Sequence, residues 1–273
     1  MSDLKITIIQ SFLEWENIPG NLKMFSHKIA MMKNETDLII LPEMFSTGFT
    51  MNTHKVGEAM SGKAVEWMKK TAKERNCVIT GSVVIEEKGK FYNRLVWMRP
   101  DGSFETYNKR HLFRYANEQE HYTPGDKKLI VELKGWKICP LICYDLRFPV
   151  WSRNKSRAGI PAPKGEVEVA LDYDLLIYVA NWPERRNHPW KTLLLARAME
   201  NQCYVAGVNR VGNDGNDIYH SGDSAVINYR GEVLSKTKSK EEGVETVALS
   251  YSELLEFRQT FPAWMDADDF TIG

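Results

Sequence analysis

The chain has 273 residues, of which 43% are hydrophobic and 26% charged, as in a typical globular protein of one large or two small domains. Lysine plus arginine balances aspartate plus glutamate at 36 each, so no overall positive field favours binding to nucleic acid or to an anionic membrane surface. No apolar run approaches the roughly 20 residues of a membrane span. We therefore expect neither a nucleic acid nor a membrane as a partner.

The four cysteines, Cys77, Cys139, Cys143 and Cys203, each lie in or beside an apolar stretch. So few cysteines in so long a chain argue against a disulfide framework, and no Cys/His cluster has the spacing of a zinc site. No phosphate-binding glycine loop or flavin site is indicated either, so we expect no metal and no other cofactor. The N-terminus runs straight into a strand without a signal-peptide pattern. We therefore expect a reducing, cytoplasmic location.

The first half of the chain alternates between apolar strands and amphipathic helices. The predicted elements are a strand at 4–10, a helix at 17–33, a strand at 37–41, a helix at 61–75, a strand at 77–85 and a hairpin-like pair of strands at 89–98 and 103–107. Residues 108–126 are polar and end in Pro124-Gly125, which is typical of a long loop between strands.

The second half continues this alternation with one interruption. The predicted elements are two short strands within 131–142 broken by a turn at 134–135, the first turn of a helix at 145–152, a strand at 174–180, a helix at 189–201, a strand at 204–209, a loop at 212–222, strands at 224–228 and 244–249, and a helix at 251–259. Residues 155–169 are rich in charge and turn residues, and we expect an exposed insertion there. The pattern predicts an α/β fold of mixed sheets covered by helices, but periodicity does not decide between one sheet and two.

Three apolar strands each end in one reactive side chain, Glu43, Lys109 and Cys143. Each has a simpler interpretation: a charge at a helix N-terminus, a solvated loop lysine and a buried core cysteine. Cys143 lies where a strand stops and a helix begins, a junction with unpaired N–H groups and a positive dipole end. We expect this setting to lower the pKa of the thiol and to offer donors to a developing oxyanion.

The motifs around these residues resemble the nitrilase (carbon–nitrogen hydrolase) superfamily. Its Glu-Lys-Cys triad is matched in order and spacing by Leu41-Pro-Glu43-Met, Tyr107-Asn-Lys109-Arg-His-Leu-Phe and Ile142-Cys143-Tyr-Asp-Leu-Arg147-Phe-Pro. The stretches beginning at Asp145, Val179-Ala-Asn-Trp-Pro and Phe261-Pro-Ala-Trp are similar to the bacterial omega-amidase branch, which hydrolyses 2-oxoglutaramate and 2-oxosuccinamate.

This resemblance implies a fold and an assembly. The expected fold is one carbon–nitrogen hydrolase domain over residues 1–273, built as a four-layer α-β-β-α sandwich of two mixed sheets. The expected assembly is a homodimer or a higher homo-oligomer, joined through helices beside the active site. The expected partner is a small-molecule amide substrate.

The resemblance also implies roles for the site residues. Cys143 would attack the amide and form a thioester, and Glu43 would move the protons. Lys109 would stabilise the tetrahedral oxyanion, with the N–H of Tyr144 as the second donor. A second glutamate of the family follows the lysine, and here Glu118 fits the spacing better than Glu120 does.

Further residues are predicted to bind substrate. Asn181 and Trp182 end a strand and are expected to line the pocket, although Trp182 is equally well explained as core. A substrate carboxylate calls for a cation, and Arg114, Arg185 and Arg186 lie in loops within reach. The sequence does not choose among them, and each is more simply explained as a surface residue; of the three, Arg186 is predicted to bind substrate.

Three polar residues near the motifs are expected to be structural. His111 follows the lysine motif but has no catalytic role by the resemblance, so a structural hydrogen bond is expected. Asp145 and Arg147 are expected to pair with each other or with neighbouring loops, because buried arginines are usually paired.

Two other classes of function stay open. The same triad also serves nitrile hydrolysis, N-carbamoyl cleavage and acyl transfer, because different nucleophiles can attack a thioester. A catalytically silent scaffold that binds metabolites or partners is the second alternative.

Overall fold

The computed structural model describes residues 2–155, 171–268 and 270–271, so most of the predicted insertion at 155–169 lies outside the described residues. The strands are β1 (Leu4–Gln10), β2 (Leu38–Ile40), β3 (Val78–Glu87), β4 (Lys90–Met98), β5 (Phe104–Asn108), β6 (Val131–Leu133), β7 (Trp136–Ile142), β8 (Leu175–Val179), β9 (Tyr204–Val208), β10 (Val211–Asn213), β11 (Tyr219–Ser221), β12 (Ala225–Ile227) and β13 (Gly243–Leu249). The helices are α1 (Ile18–Ala30), α2 (Thr53–Val56), α3 (Lys63–Arg75), α4 (Glu118–His121), α5 (Pro149–Ser152), α6 (Asn187–Glu200) and α7 (Tyr251–Thr260), and 3₁₀ turns lie at Arg114–Ala116, Cys143–Arg147, Glu184–Arg186 and Ala263–Asp266.

The strands form two mixed sheets and a small ribbon. The first sheet has the order β13-β1-β2-β3-β4-β5, the second has the order β12-β9-β8-β7-β6, and β10 pairs with β11. Parallel pairs occupy the middle of both sheets, β1-β2-β3 in one and β7-β8-β9 in the other, and antiparallel strands complete the edges. The fold therefore has two main sheets, a point that periodicity alone did not determine.

The apolar residues of β1 show how the layers form. Leu4, Ile6 and Ile8 lie on one face, because alternate residues of a strand share a face, and they cluster with side chains of β7 and β8. Ile9 lies on the other face and clusters with Phe25 of α1 and with apolar residues of α3. The first sheet therefore packs against the second sheet on one side and against helices on the other.

Helix α6 packs against the second sheet. Trp190, Leu194 and Ala198 are spaced four residues apart and are buried on one side of the helix. A Cβ atom on Gly207 of β9 would lie 2.5 Å from Leu194 Cδ1, so only glycine allows this close approach. The layers follow in the order helix, sheet, sheet, helix, which confirms the predicted α-β-β-α sandwich. Among the residues described, no helix combines the length and apolar character needed to cross a bilayer.

Two turn-rich segments show where composition predicts well and where it does not. The turn between β6 and β7 is confirmed, with positive φ values of 52° at Lys134 and 87° at Gly135. The loop predicted at 212–222 is wrong at its ends, which form the ribbon of β10 and β11. Asp214 Oδ1 accepts hydrogen bonds from the N–H groups of Asn216 and Ile218 at 2.8 and 3.0 Å, so the polar residues close a hairpin turn.

Strand direction brings the reactive residues to corresponding edges of the two sheets. Strand β5 runs in the same direction as β2, so Glu43 and Lys109 leave the first sheet at the same edge. Cys143 and Asn181 follow the carboxyl ends of the parallel strands β7 and β8. The N–H of Asn181 donates to Glu43 Oε2 at 2.8 Å, which joins the two edges. Ligand sites in α/β folds commonly lie at such edges.

Candidate active site

Glu43 is fully buried and accepts hydrogen bonds from both sheets. Its Oε1 accepts from Lys109 Nζ and from Asn93 Nδ2, each at 2.8 Å, and its Oε2 accepts from the backbone N–H of Asn181 at 2.8 Å. A buried carboxylate is stable only when it is paired and hydrogen-bonded, and these donors meet that need. The carboxylate is thus held in one orientation.

Lys109 is 1% exposed and lies between two carboxylates. Its Nζ donates to Glu43 at 2.8 Å and to both oxygens of Glu118 at 3.0 and 3.1 Å. Burial lowers the pKa of the Lys109 ammonium, but the charges of Glu118 and Glu43 outweigh burial and raise it overall. Burial raises the pKa of Glu118, and Lys109 opposes this rise. Lys109 is therefore a fixed cation.

Cys143 is 9% exposed, and its thiol lies close enough to Glu43 for that carboxylate to change its pKa. Burial raises the pKa of the thiol well above its usual value, and the Glu43 carboxylate adds to this rise, whereas Lys109 opposes it. The expectation of a lowered pKa is wrong. The segment Cys143–Arg147 is one short 3₁₀ turn with little dipole, so burial and the carboxylate dominate. Cys143 is therefore a protonated thiol at neutral pH, and Glu43 is the nearby base that can take its proton.

The backbone at Cys143 adopts a left-handed conformation, with φ of 44°. Buried Asp145 supports it: its Oδ2 accepts from the N–H of Ile142 at 3.1 Å and from Tyr107 Oη at 2.7 Å. Its Oδ1 accepts from the N–H of His111 at 3.1 Å and contacts His111 Nδ1 at 2.7 Å. Of the two arrangements expected for Asp145, the structure has the one in which it pairs with a neighbouring loop. His111 makes the expected structural hydrogen bond.

Cys143 opens onto a cavity of about 360 Å³. Its lining is largely apolar and aromatic, with a few polar and charged groups: Trp15, Glu43, Phe49, Thr50, Met51, Asn52, Lys109, Phe113, Tyr115, Ala116, Cys143, Tyr144, Arg147, Asn181, Trp182, Pro183, Arg185, Arg186, Asp214, Asn216, Ile218 and His220. This volume and character are typical of a site for a small molecule.

Comparisons with known proteins agree with this geometry. A family model described as carbon–nitrogen hydrolase matches residues 6–259. The chain belongs to the carbon–nitrogen hydrolase family. It is 44% identical over 272 residues to omega-amidase YafV of Escherichia coli strain K12, with 100% of both chains covered. It is 31% identical over 264 residues to the 2-oxoglutaramate amidase of Bacillus subtilis strain 168, with 96% of each covered.

A solved structure is similar throughout. It is a carbon–nitrogen hydrolase superfamily protein from Xanthomonas campestris with an arsenic adduct in its active site, and it has a TM-score of 0.94, 43% identity and 100% coverage of both chains. Together these matches confirm membership of the nitrilase superfamily and its omega-amidase branch. The protein is a hydrolase that acts on carbon–nitrogen bonds of amides.

The structure of this carbon–nitrogen hydrolase brings together most residues predicted from the sequence. Seven line the cavity: Glu43, Lys109, Cys143, Tyr144, Asn181, Trp182 and Arg186. Glu118 is not part of the lining but contacts Lys109, whereas Glu120 is exposed. Trp182 belongs both to the lining and to the hydrophobic core, so both of its interpretations hold.

Sequence reasoning missed Asn93 and gave Arg147 a structural role only. Asn93 of β4 is 1% exposed and donates to Glu43. The sequence feature that could have identified it is a polar asparagine within a predicted strand. Arg147 lines the cavity with its Cζ 5.1 Å from the Trp182 ring centroid, so it is not paired with Asp145. The position of Arg147 in the cavity wall depends on the conformation of the turn after Cys143, which the sequence did not predict.

The two glutamates of the 118–120 loop allow a matched test. We expect Glu118→Gln to lower kcat about 10- to 100-fold, because it removes a charge-assisted partner of Lys109. Glu120→Gln should keep kcat within about twofold of wild type, because an exposed charge has little effect on the buried groups of the site. Steady-state ammonia release and thermal unfolding of both variants check this. Equal kcat values for the two variants would show that Glu118 is not needed to position Lys109.

His220, in the cavity wall, makes stability depend on pH. Burial and then the cation of Arg210 lower its pKa from 6.5 to about 4. Above pH 6.5 both folded and unfolded chains hold it neutral, and as pH falls toward 4 only the unfolded chain gains the proton, so stability is lost in this window. We expect this residue to account for about 2 kcal/mol of lost unfolding free energy at pH 5 relative to pH 7.

Urea unfolding at pH 7 and pH 5 measures this loss. His220→Gln should lose about 2 kcal/mol less than wild type between the two values, since glutamine does not titrate. His188→Gln, at an exposed position of α6, is the matched control and should follow wild type. A His220→Gln protein with the wild-type pH dependence would refute the prediction.

Proposed function

We propose that the protein is a cysteine-dependent omega-amidase that cleaves the terminal amide of a small omega-amido acid such as 2-oxoglutaramate and releases ammonia through a thioester. The observation that carries this proposal is the buried Glu43 carboxylate, which hydrogen-bonds to Lys109 and shares the wall of a small cavity with the Cys143 thiol. The names of the relatives from Escherichia coli and Bacillus subtilis support the same activity.

In the acylation step, Glu43 takes the proton of the Cys143 thiol as sulfur attacks the amide carbon. Proton transfer coupled to attack explains why a thiol with a raised pKa still serves as a nucleophile, since the base lies in the same cavity wall. The tetrahedral intermediate then expels nitrogen, which takes the proton from Glu43 and leaves as ammonia. The product on the enzyme is a thioester.

The oxygen of each tetrahedral intermediate needs donors that are already in place. Lys109 Nζ, held by Glu43 and Glu118, is one, and the N–H of Tyr144 beside the left-handed Cys143 is the other. In the deacylation step Glu43 removes a proton from water, whose oxygen attacks the thioester carbon. The carbon–sulfur bond then breaks to release the acid, and Glu43 returns the proton to the Cys143 sulfur. Glu118 acts by positioning Lys109.

The arginines of the cavity wall suit a substrate that carries a carboxylate. Arg147, Arg185 and Arg186 line the cavity, and burial lowers the pKa of Arg186, which raises the need for an anionic partner. The Arg186 Cζ lies 5.1 Å from the Phe113 ring centroid, which limits its freedom. A fixed guanidinium binds a carboxylate through two parallel hydrogen bonds.

We expect Arg147→Leu and Arg186→Leu each to raise KM for 2-oxoglutaramate about 10- to 100-fold, because a charge-assisted hydrogen bond is lost. Arg114→Leu is the control, because Arg114 is exposed and is not part of the cavity lining. Steady-state kinetics with 2-oxoglutaramate and with an uncharged short amide separate the effects. If KM for the charged substrate stays unchanged in both variants, neither arginine binds its carboxylate.

The function itself is tested with a panel of substrates. Ammonia release is measured with 2-oxoglutaramate, a short nitrile and an N-carbamoyl amino acid, and mass spectrometry locates the acyl adduct after rapid acid quenching. We expect the highest kcat/KM for 2-oxoglutaramate and an adduct on the peptide that contains Cys143. A nitrile or carbamoyl substrate with a higher kcat/KM would replace the proposed activity by that one.

We infer that two chains form a homodimer beside the active site. Arg153 donates to the carbonyl of Glu200 and Gln202 donates to the carbonyl of Phe261, each at 2.7 Å, so three segments meet on one face. These segments expose four apolar side chains, Val150, Met199, Phe261 and Met265. Light scattering after gel filtration measures the mass, and a monomer at micromolar concentration contradicts the inference.

We also infer a cytoplasmic location. All four cysteines are free thiols, and a thiol nucleophile is best preserved in a reducing compartment. Cell fractionation of the source organism, with the protein detected by antibody, tests this.

A further inference from the structure

The side-chain oxygen of Asn181 is a buried acceptor without a hydrogen-bond partner in the part of the chain that the structure describes. Asn181 is 5% exposed and lines the catalytic cavity. Buried polar atoms almost always have partners, so an unpartnered one in the wall of a catalytic cavity calls for a physical explanation. The oxygen is therefore an acceptor whose donor is not among the described residues, in a side chain that lines the cavity.

The orientation of the Asn181 amide is fixed by its other contacts. Its Nδ2 donates to the backbone carbonyl of Glu43, and only the nitrogen of the amide can make that bond, so Oδ1 is assigned without ambiguity. The backbone is fixed as well, since the N–H of Asn181 donates to Glu43 Oε2 and the N–H of Trp182 donates to Asn209 Oδ1, both at 2.8 Å. The acceptor is thus held beside the Glu43 carboxylate.

We propose that Asn181 Oδ1 accepts a hydrogen bond from the nitrogen of the scissile amide, so that the site selects substrates whose leaving group carries an N–H. This inference rests on the proposed function and adds an atom-level basis for its preference for primary amides. Oxygen leaving groups have no hydrogen to donate, and their lone pairs would face the Asn181 oxygen.

The chemistry of acylation explains why this contact matters. The bond from Cys143 Sγ to the carbonyl carbon forms, the carbon–nitrogen bond breaks, and nitrogen takes one proton from the Glu43 carboxyl to leave as neutral ammonia. The nitrogen lone pair must face Glu43 to receive that proton. An acceptor beside Glu43 that binds one N–H turns the lone pair toward the carboxyl. With an ester of the same acyl group, the carbon–oxygen bond breaks and the alcohol takes the proton.

The test compares the omega-amide and the omega-methyl ester of 2-oxoglutarate, because kcat/KM for both reports acylation and the acyl-enzyme is the same. We expect Asn181→Ala to lower kcat/KM about 10- to 100-fold for the amide and less than about threefold for the ester. The substitution removes the hydrogen bond from the amide nitrogen, and this bond becomes stronger as the nitrogen is protonated during acylation. The amide-to-ester ratio should therefore fall at least several-fold.

Asn93→Ala is the matched control. Asn93 also donates to Glu43 and also has a buried side-chain oxygen without a partner among the described residues, but it does not line the cavity. Its substitution disturbs Glu43 for both substrates alike, so the amide-to-ester ratio should equal that of wild type. Circular dichroism shows whether each variant folds. If the alanine variant does not fold, the amide-to-ester ratio of kcat/KM is measured with Asn181→Ser. The serine hydroxyl is too short to place an acceptor at the position of the Asn181 oxygen.

An amide-to-ester ratio that is unchanged by both substitutions at position 181, in an enzyme that is active through Cys143, would overturn this inference and leave the proposed function standing. A wild-type enzyme that cleaves neither substrate would overturn both.

Discussion

Replacing Cys143 by alanine is expected to reduce amide hydrolysis at least about 10⁴-fold, because no other described residue of the cavity lining is a cysteine. Tyr144 and Lys109 remain able to polarise the substrate oxygen, so a small residual rate is expected rather than none. The loss should fall on kcat, since the side chain removed contributes little to binding.

The fold should survive this substitution almost unchanged. Glu43 keeps three donors, Lys109 Nζ, Asn93 Nδ2 and the N–H of Asn181, so the thiol is not needed to satisfy the carboxylate. Losing one buried sulfur should cost about 1 kcal/mol of unfolding free energy. Alanine tolerates the left-handed backbone at this position about as well as cysteine does.

Kinetics and urea unfolding check this expectation, with Cys77→Ala as the matched control. Cys77 is also buried, and burial raises the pKa of its thiol to about 11, but it belongs to the core beneath the first sheet and lies away from the cavity lining. The control should keep wild-type kcat. If Cys143→Ala kept a tenth or more of wild-type kcat, the thioester mechanism would be lost.

Replacing Lys109 by methionine is expected to damage both catalysis and stability. Activity should fall about 10²- to 10³-fold through the loss of one oxyanion donor. Two buried carboxylates, Glu43 and Glu118, would lose their shared cation, and removing one member of a buried ion pair typically costs about 3 to 5 kcal/mol. No surface lysine should have a comparable effect on stability.

The loss of stability in Lys109→Met should depend on pH with a known sign. Burial already raises the pKa of Glu118, and removing the Lys109 cation raises it further. A carboxyl whose pKa is higher in the folded chain takes up its proton there first, so stability relative to wild type should recover as pH falls through that raised pKa. Urea unfolding at pH 8 and pH 5.5 should show a smaller deficit at the lower pH.

Lys55→Met is the matched control for this substitution. Lys55 also pairs with a glutamate, Glu16, at 2.7 Å, but the lysine side chain is 68% exposed. The Glu16 side chain is itself buried but keeps hydrogen bonds from Thr50 and Asn52 at 2.6 Å each, so the unfolding free energy should change by no more than about 1 kcal/mol. A Lys109→Met protein as stable as the Lys55→Met protein would show that the buried carboxylates do not depend on Lys109 for compensation.

The four-group cluster also explains why single-residue roles are hard to isolate here. Lys109 contacts both Glu43 and Glu118, and all three charges influence the pKa of the Cys143 thiol, so each charge changes the environment of the other groups. Substitutions within such a cluster are not additive. Double variants such as Lys109→Met with Glu118→Gln should therefore cost less stability than the sum of the single variants.

The sequence by itself determined most of the strands and the identity of the reactive residues. Apolar runs at 4–10, 136–142 and 175–179 lie in strands because they are too apolar to remain exposed, and reactive groups follow such runs at Glu43, Lys109 and Cys143. The family resemblance added the second sheet, which periodicity alone had left undecided.

Only the tertiary structure decided the properties that depend on contacts between distant parts of the chain. The raised pKa of Cys143 follows from burial beside Glu43, a hundred positions earlier in the chain, and not from its own helix turn. Arg147 lines the cavity rather than pairing with Asp145, and Asn181 presents a fixed oxygen because a carbonyl on the opposite sheet holds its nitrogen. Local sequence sets which groups are present, but electrostatic energies and hydrogen-bond directions depend on three-dimensional neighbours, which local sequence does not specify.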